Sequence, residues 1–250
     1  MDRAYILANF EKLNFSPDLK LIINRSGYFG FRQENEVKYQ SLDGKFNDHK
    51  ENEISGVNLN VCFPVLEKCL NPTFNGVGDG EAPSHMRPYL HNVLFGEDTV
   101  GSMLTSKFPF VIHNEDDLIQ IKSLLIDFWN FDAKPFFDYW SNLSDFLPFL
   151  EVDFEDYRSM NNVLGVDAIL KKMIIWWQCS HPKSLDFINH REQKLIALRQ
   201  SEPKNQKVEK ALIQFLEIKQ RLLQTSPLLE WNEALLQPKP YKGVFPKANI

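Results

Sequence analysis

Apolar positions recur at helical spacing near the start of the chain. Tyr5, Ile6, Phe10 and Leu13 form one stripe, which predicts a helix over 2–13. Ser16-Pro17 then reads as a cap with proline in the first helical position, opening a short second helix to about Asn24. The period next changes to two. Tyr28, Phe29 and Phe31 stand beside Gly27 and Gly30, and Val37, Tyr39 and Leu42 alternate with polar residues ahead of Asp43-Gly44, a hairpin-turn signal. Val57, Leu59, Val61 and Phe63 alternate with Asn58, Asn60 and Cys62. These runs predict an antiparallel meander with one solvated face.

The breakers Pro72, Gly76, Gly78, Gly80 and Pro83 predict a long loop over 71–86. Strands are expected over 89–95 and 108–112. Asn114 followed by Glu115, Asp116 and Asp117 marks a capped helix start, with Leu118, Ile121, Leu125 and Phe128 as its apolar face. Pro135 opens an aromatic helix. Three more helices are expected over 166–180, 183–200 and 204–224, broken at Pro182 and Pro203, and the proline-rich end, 237–250, is expected to lack regular structure. The fold class this implies is α+β: a mostly antiparallel sheet with helices packed on one face, and a C-terminal helical subdomain. The expected division is an α+β domain over 1–157, a helical subdomain over 158–236 and a tail over 237–250.

Composition narrows the function classes. The 43% hydrophobic and 24% charged residues are ordinary for a globular protein. Cys62, Cys69 and Cys179 are too few for a disulfide scaffold and read as free thiols in a reducing cytoplasm. The early acid Asp2 and the interrupted apolar pattern argue against a secretory leader, and no run is long enough to predict a membrane span. A net charge of −5 argues against nucleic acid as partner. No cofactor or metal is expected. The six histidines form no ligand pair at helical spacing, Gly76-Val-Gly-Asp-Gly80 lacks the lysine and hydroxyl of a phosphate loop, and no Gly-x-Ser-x-Gly elbow occurs. A metal site built from His85, His91 and a distant acid is the alternative.

Charge is distributed unevenly. Residues 115–156 carry 11 acids against only Lys122 and Lys134, whereas 157–250 carry 15 basic and 8 acidic residues. The acidic stretch is also dense in rings. It therefore predicts a surface for a basic protein partner, with Asp138, Asp145, Glu151, Asp153 and Glu155 steering and Tyr139 or Trp140 anchoring. The competing reading is internal: acids at helix starts serve the helix dipole, the rest face the basic C-terminal helices, and most rings are core. For Trp176-Trp177, adjacent helical positions point about 100° apart, so one ring is expected in the core and the other at a seam with the α+β part.

The order of features resembles a family. Gly30-Phe31-Arg32, the strand Val57-Asn-Leu-Asn-Val-Cys-Phe63, the helix start Asn114-Glu-Asp-Asp-Leu and the segment Pro135-Phe-Phe-Asp-Tyr-Trp140 follow one another as in a bacterial α+β family known only as a domain of unknown function. The likeness extends over about residues 1–220 and brings no catalytic residues with it. Some such domains are candidate immunity proteins of polymorphic toxin systems. The resemblance thus implies a non-enzymatic cytoplasmic protein that occludes a basic toxin domain. Two alternatives stand beside it. A hydrolase would show a deep polar pocket holding at least two of His85, Arg87, His91, Glu97 and Asp98. An adaptor would show an exposed apolar groove along 185–224.

Overall fold

A computed structural model describes the chain apart from residues 14, 16–18, 24–26, 77–82, 97–99, 101–106 and 242–250. The fold is α+β, as the patterning predicts, and it divides into two compact units. The first comprises Met1–Pro64, Gly76–Ser141 and the chain from Pro240; the second comprises Val65–Asn75 and Asn142–Lys239.

The first unit is built on a sheet. Its strands β1 (Lys20–Ile23), β2 (Tyr28–Glu34), β3 (Tyr39–Asn47), β4 (Lys50–Cys62) and β5 (Phe110–Val111) lie in chain order, every neighbour antiparallel. Alternation sends Phe29, Phe31, Leu42, Phe46, Leu59 and Val61 to a buried face. Helix α1 (Arg3–Phe10) supplies Phe10, whose ring lies 5.2 Å from that of Phe29. Truncating one such buried ring costs about 3–5 kcal/mol. Asp2 caps α1 by accepting from the Tyr5 N–H at 2.8 Å. Tyr5 itself turns outward from the expected stripe and donates its hydroxyl to Glu115.

Three local expectations need correction. Ser16 and Pro17 lie outside the described residues, but Lys20–Ile23 is an edge strand and not part of a helix, because Leu21 and Ile22 pair with Phe31 and Gly30. Asp43-Gly44 does not turn; it lies inside β3. The chain turns instead at 35–38, where the Asn35 side chain accepts the N–H groups of Val37 and Lys38, and again at Asp48-His49. The glycine is there for space: a Cβ on Gly44 would lie 2.2 Å from the Phe29 ring. After a short helix α2 (Pro64–Leu70), residues 89–95 belong not to a strand but to helix α3 (Pro88–Phe95), with Pro88 at its first turn and Leu90 and His91 buried. The strand expected over 108–112 shrinks to β5, paired with Glu53 and Ile54.

Helix α4 (Glu115–Phe128) follows the prediction. Asn114 accepts from the Asp117 N–H, and Leu118, Ile121, Leu125 and Phe128 are its buried residues. A π-turn over Trp129–Ala133 leads into α5 (Lys134–Tyr139). In the second unit, α6 (Tyr157–Leu164) is an addition to the expected set, while α7 (Ala168–Gln178), α8 (Ser184–Ser201) and α9 (Gln206–Leu223) match the three predicted helices closely. Trp176 is core and Trp177 half-buried, as expected of neighbours on a helix. The Trp177 indole donates to the Thr225 carbonyl within its own unit. All three cysteines are buried and none is in a disulfide. No helix among the described residues is long and apolar enough to cross a membrane.

Candidate functional site

The side of the sheet opposite the core is polar, and its register lays the residues out in rows. Arg32 of β2 pairs with Ser41 of β3, which pairs with Asn60 of β4. The next row is Gly30, Asp43 and Asn58, and the one after it Tyr28, Lys45 and Gly56. Asp43 is the centre of this grid. Its Oδ2 accepts from the Ser41 hydroxyl at 2.6 Å and the Asn60 amide at 2.7 Å, and its Oδ1 faces Arg32 Nε at 3.4 Å. The carboxylate lies flat over Gly30, where a Cβ would come within 2.2 Å of Oδ1. A side chain at position 30 would therefore displace the carboxylate from its partners.

Above the grid lies a cleft of about 410 Å³, within the usual range for a small-molecule site. Arg87, the residue preceding α3, joins Arg32 and Lys45 along its wall; Ser55, Gly56 and Asn58 form the β4 side. Lys45 rests over the Tyr28 ring, 5.3 Å from its centroid, and pairs with exposed Asp48 outside the cleft at 3.3 Å. The Arg87 guanidinium has no ion-pair partner among the described residues. Three cations and one carboxylate thus line a concave surface on a chain whose net charge is −5. Tyr39, beside Arg32, is buried, and burial pushes its phenol up to about 12.

The residues predicted to meet a partner lie elsewhere and fall in different units. In the first unit, Asp138 is exposed, but Tyr139 and Trp140 are buried. The Trp140 indole donates to His91 Nδ1 at 3.0 Å inside a cluster with Phe95, Phe136, Tyr139 and Tyr241. Burial drives the His91 pKa down to about 3. The expectation of exposed ring anchors is corrected: these rings are core because their apolar area outweighs the cost of burying one indole N–H that has an acceptor.

In the second unit, most of the predicted acids are paired within the chain. Asp145 is buried, caps the 3₁₀ turn over Leu143–Phe149 and pairs with Lys239 at 2.6 Å. Glu151 bonds to His181 Nε2 at 2.7 Å and faces Lys183 at 3.7 Å. Glu155 is held by Lys194, His190 and the Tyr157 hydroxyl. Asp153 is exposed and accepts from the Glu155 N–H. For Asp145, Glu151 and Glu155 the internal reading of the charge pattern is the one observed.

The remaining candidates separate in the same way. His85 Nδ1 accepts from the buried Phe63 N–H at 2.9 Å, so His85 and His91 each serve packing, and of the described members of the hydrolase set only Arg87 lines the sheet cleft. Glu97 and Asp98 lie outside the described residues. No group of three or more His, Cys, Asp or Glu among the described residues is placed to hold a metal ion. Along 185–224, Leu185, Ile196, Ile213 and Leu216 are exposed, and a smaller cleft of about 250 Å³ is lined by other residues, among them Tyr157, Arg191, Leu195 and Phe215. The chain matches no protein-family model, no curated protein and no solved structure. The sheet site was missed because its residues are spread from Tyr28 to Arg87. The available signal was the polar partner at every second position of facing strands.

Proposed function

We propose that this chain is a binding protein and that the polar sheet face of the first unit is its recognition site. One observation carries the reading: a fixed carboxylate and three cations converge on an open cleft, reversing the sign of the chain's net charge locally. A concave surface of one dominant sign focuses its field and draws an oppositely charged group. Ser41, Asn60 and Arg32 hold Asp43 in one orientation, which makes it an acceptor for a donor on the ligand. A cytoplasmic setting is part of the proposal, and three buried cysteines, none of them in a disulfide, support it.

The test is amide NMR of the full chain against a library of small polar metabolites. Shifts clustering on Tyr28, Lys45, Gly56 and Asn58 are expected. Binders that cluster elsewhere, or a library without binders, would overturn the assignment. Occlusion of a cognate toxin, which the family resemblance implies, is a second form of binding role. Its support is narrower: Asp138 and Asp153 are the predicted carboxylates left exposed and outside the ion pairs of the described residues. Changing each to lysine should weaken toxin capture on that reading, and unchanged capture would remove it.

A further inference from the structure

Resting on the sheet face as the recognition site, we infer that its ligand is an anionic sugar: an oxyanion, phosphate or carboxylate, carried on a hydroxylated ring. The lining supplies the two kinds of contact such a molecule needs. Arg87 presents a guanidinium with no ion-pair partner among the described residues, and its planar fork matches two oxygens of one oxyanion. Lys45 lies on the same wall, held by an exposed pair with Asp48 and by its place over the Tyr28 ring. These two groups take the anion. The rest of the lining combines the Arg32–Asp43 pair with polar Ser55, Asn58 and Asn60 and with Tyr28 and Val57. Asn58 and Ser55 project from β4 toward solvent, and Asp43 keeps acceptor capacity on Oδ1, whose one side-chain partner among the described residues, Arg32 Nε, is 3.4 Å away. Amide, hydroxyl and carboxylate together suit the alternating donors and acceptors of adjacent sugar hydroxyls.

Size agrees with chemistry. At about 410 Å³ the cleft exceeds what a bare phosphate or acetate would fill, so the anion must bring a body with it. That body is polar, because the floor beneath it is the hydrogen-bonded grid of Asp43, Ser41 and Asn60. Gly56 leaves room for it. A Cβ built there meets nothing within 4 Å, and Gly56 pairs with Lys45 on the same face of the sheet. The glycine keeps the cleft open without any demand from the backbone.

Calorimetry with the full chain tests the inference, using glucose 6-phosphate, glucuronate, glucose and inorganic phosphate as probes. One or both anionic sugars should bind at least about tenfold more tightly than glucose and inorganic phosphate. The comparison of the two anionic sugars tells phosphate from carboxylate. Arg87→Gln should lower that affinity by about tenfold or more, and Gly56→Leu should abolish it, with Tm unchanged in both variants. Equal affinity for glucose, or binding indifferent to Arg87→Gln but lost in Gly56→Leu, would overturn the ligand class while leaving the site in place. Binding indifferent to both variants, or no binding of any probe, would overturn the ligand class and count against the site itself.

Discussion

The two units treat charge in opposite ways. In the helical unit, acids and bases close on one another: Glu155 on Lys194 and His190, Glu151 on His181 and Lys183, Asp145 on Lys239. Even Lys172, fully buried, is enclosed by its own unit. Its Nζ donates to the Val152 carbonyl at 3.1 Å and lies 4.2 Å from the Trp176 ring centroid and 5.0 Å from that of Phe187. Burial lowers its pKa to about 8. On the sheet face, by contrast, Arg32, Lys45 and Arg87 share a cleft with one carboxylate and open water. A segment rich in one sign is therefore a poor guide to a surface of that sign. Charges that face each other across helices cancel, whereas scattered residues on one sheet face add.

Substitutions at four positions test that contrast, the most costly first. Lys172→Ala should cost about 2–5 kcal/mol by chemical denaturation, since it leaves a void among Trp176, Phe154 and Phe187. Lys172→Met should recover most of it, because the buried stem packs much as methionine would. A larger loss in Met than in Ala would show that the cation, and not the stem, holds the enclosure.

The closed aromatic cluster of the first unit should be visible in pH dependence. His91 has a folded pKa near 3, against an ordinary value of 6.5. The unfolded chain then takes up a proton that the folded chain refuses. His91 burial thus contributes stability that is complete above pH 6.5 and is lost as pH falls toward 3, by up to about 1.4 kcal/mol per pH unit. His91→Gln, which keeps an acceptor for Trp140, should flatten the slope between pH 6.5 and 5. An unchanged slope would mean that another group carries it.

Gly44→Ala should cost about 1–3 kcal/mol, because the methyl group enters the Phe29 ring. Lys194→Ala should cost only about 0.2–1 kcal/mol, its pair with Glu155 being exposed. If Lys194→Ala exceeded Gly44→Ala, the helical charge network would be worth more than its surface position implies.

Local periodicity made much of this fold legible. The Asn114 cap with the four apolar residues of α4, the alternation in β4 and the three late helices all follow from sequence spacing. The failures share one cause. Lys20–Ile23, Asp43-Gly44 and 89–95 carry local signals, a strong one at Asp43-Gly44, that tertiary context overrides: strand pairing in the first, the Phe29 ring in the second, burial of Leu90 and His91 in the third. The site was the least legible part. Its chemistry depends on cross-strand register, which brings Asp43 to Ser41, Asn60 and Arg32 and cannot be read from any one strand alone.

The most direct measurement is the affinity of Gly56→Leu for an anionic sugar that binds the wild type, taken together with its Tm. Filling the open space at Gly56 should remove binding and leave Tm where it was. Full affinity with leucine standing in the cleft would contradict the sheet face as the recognition site.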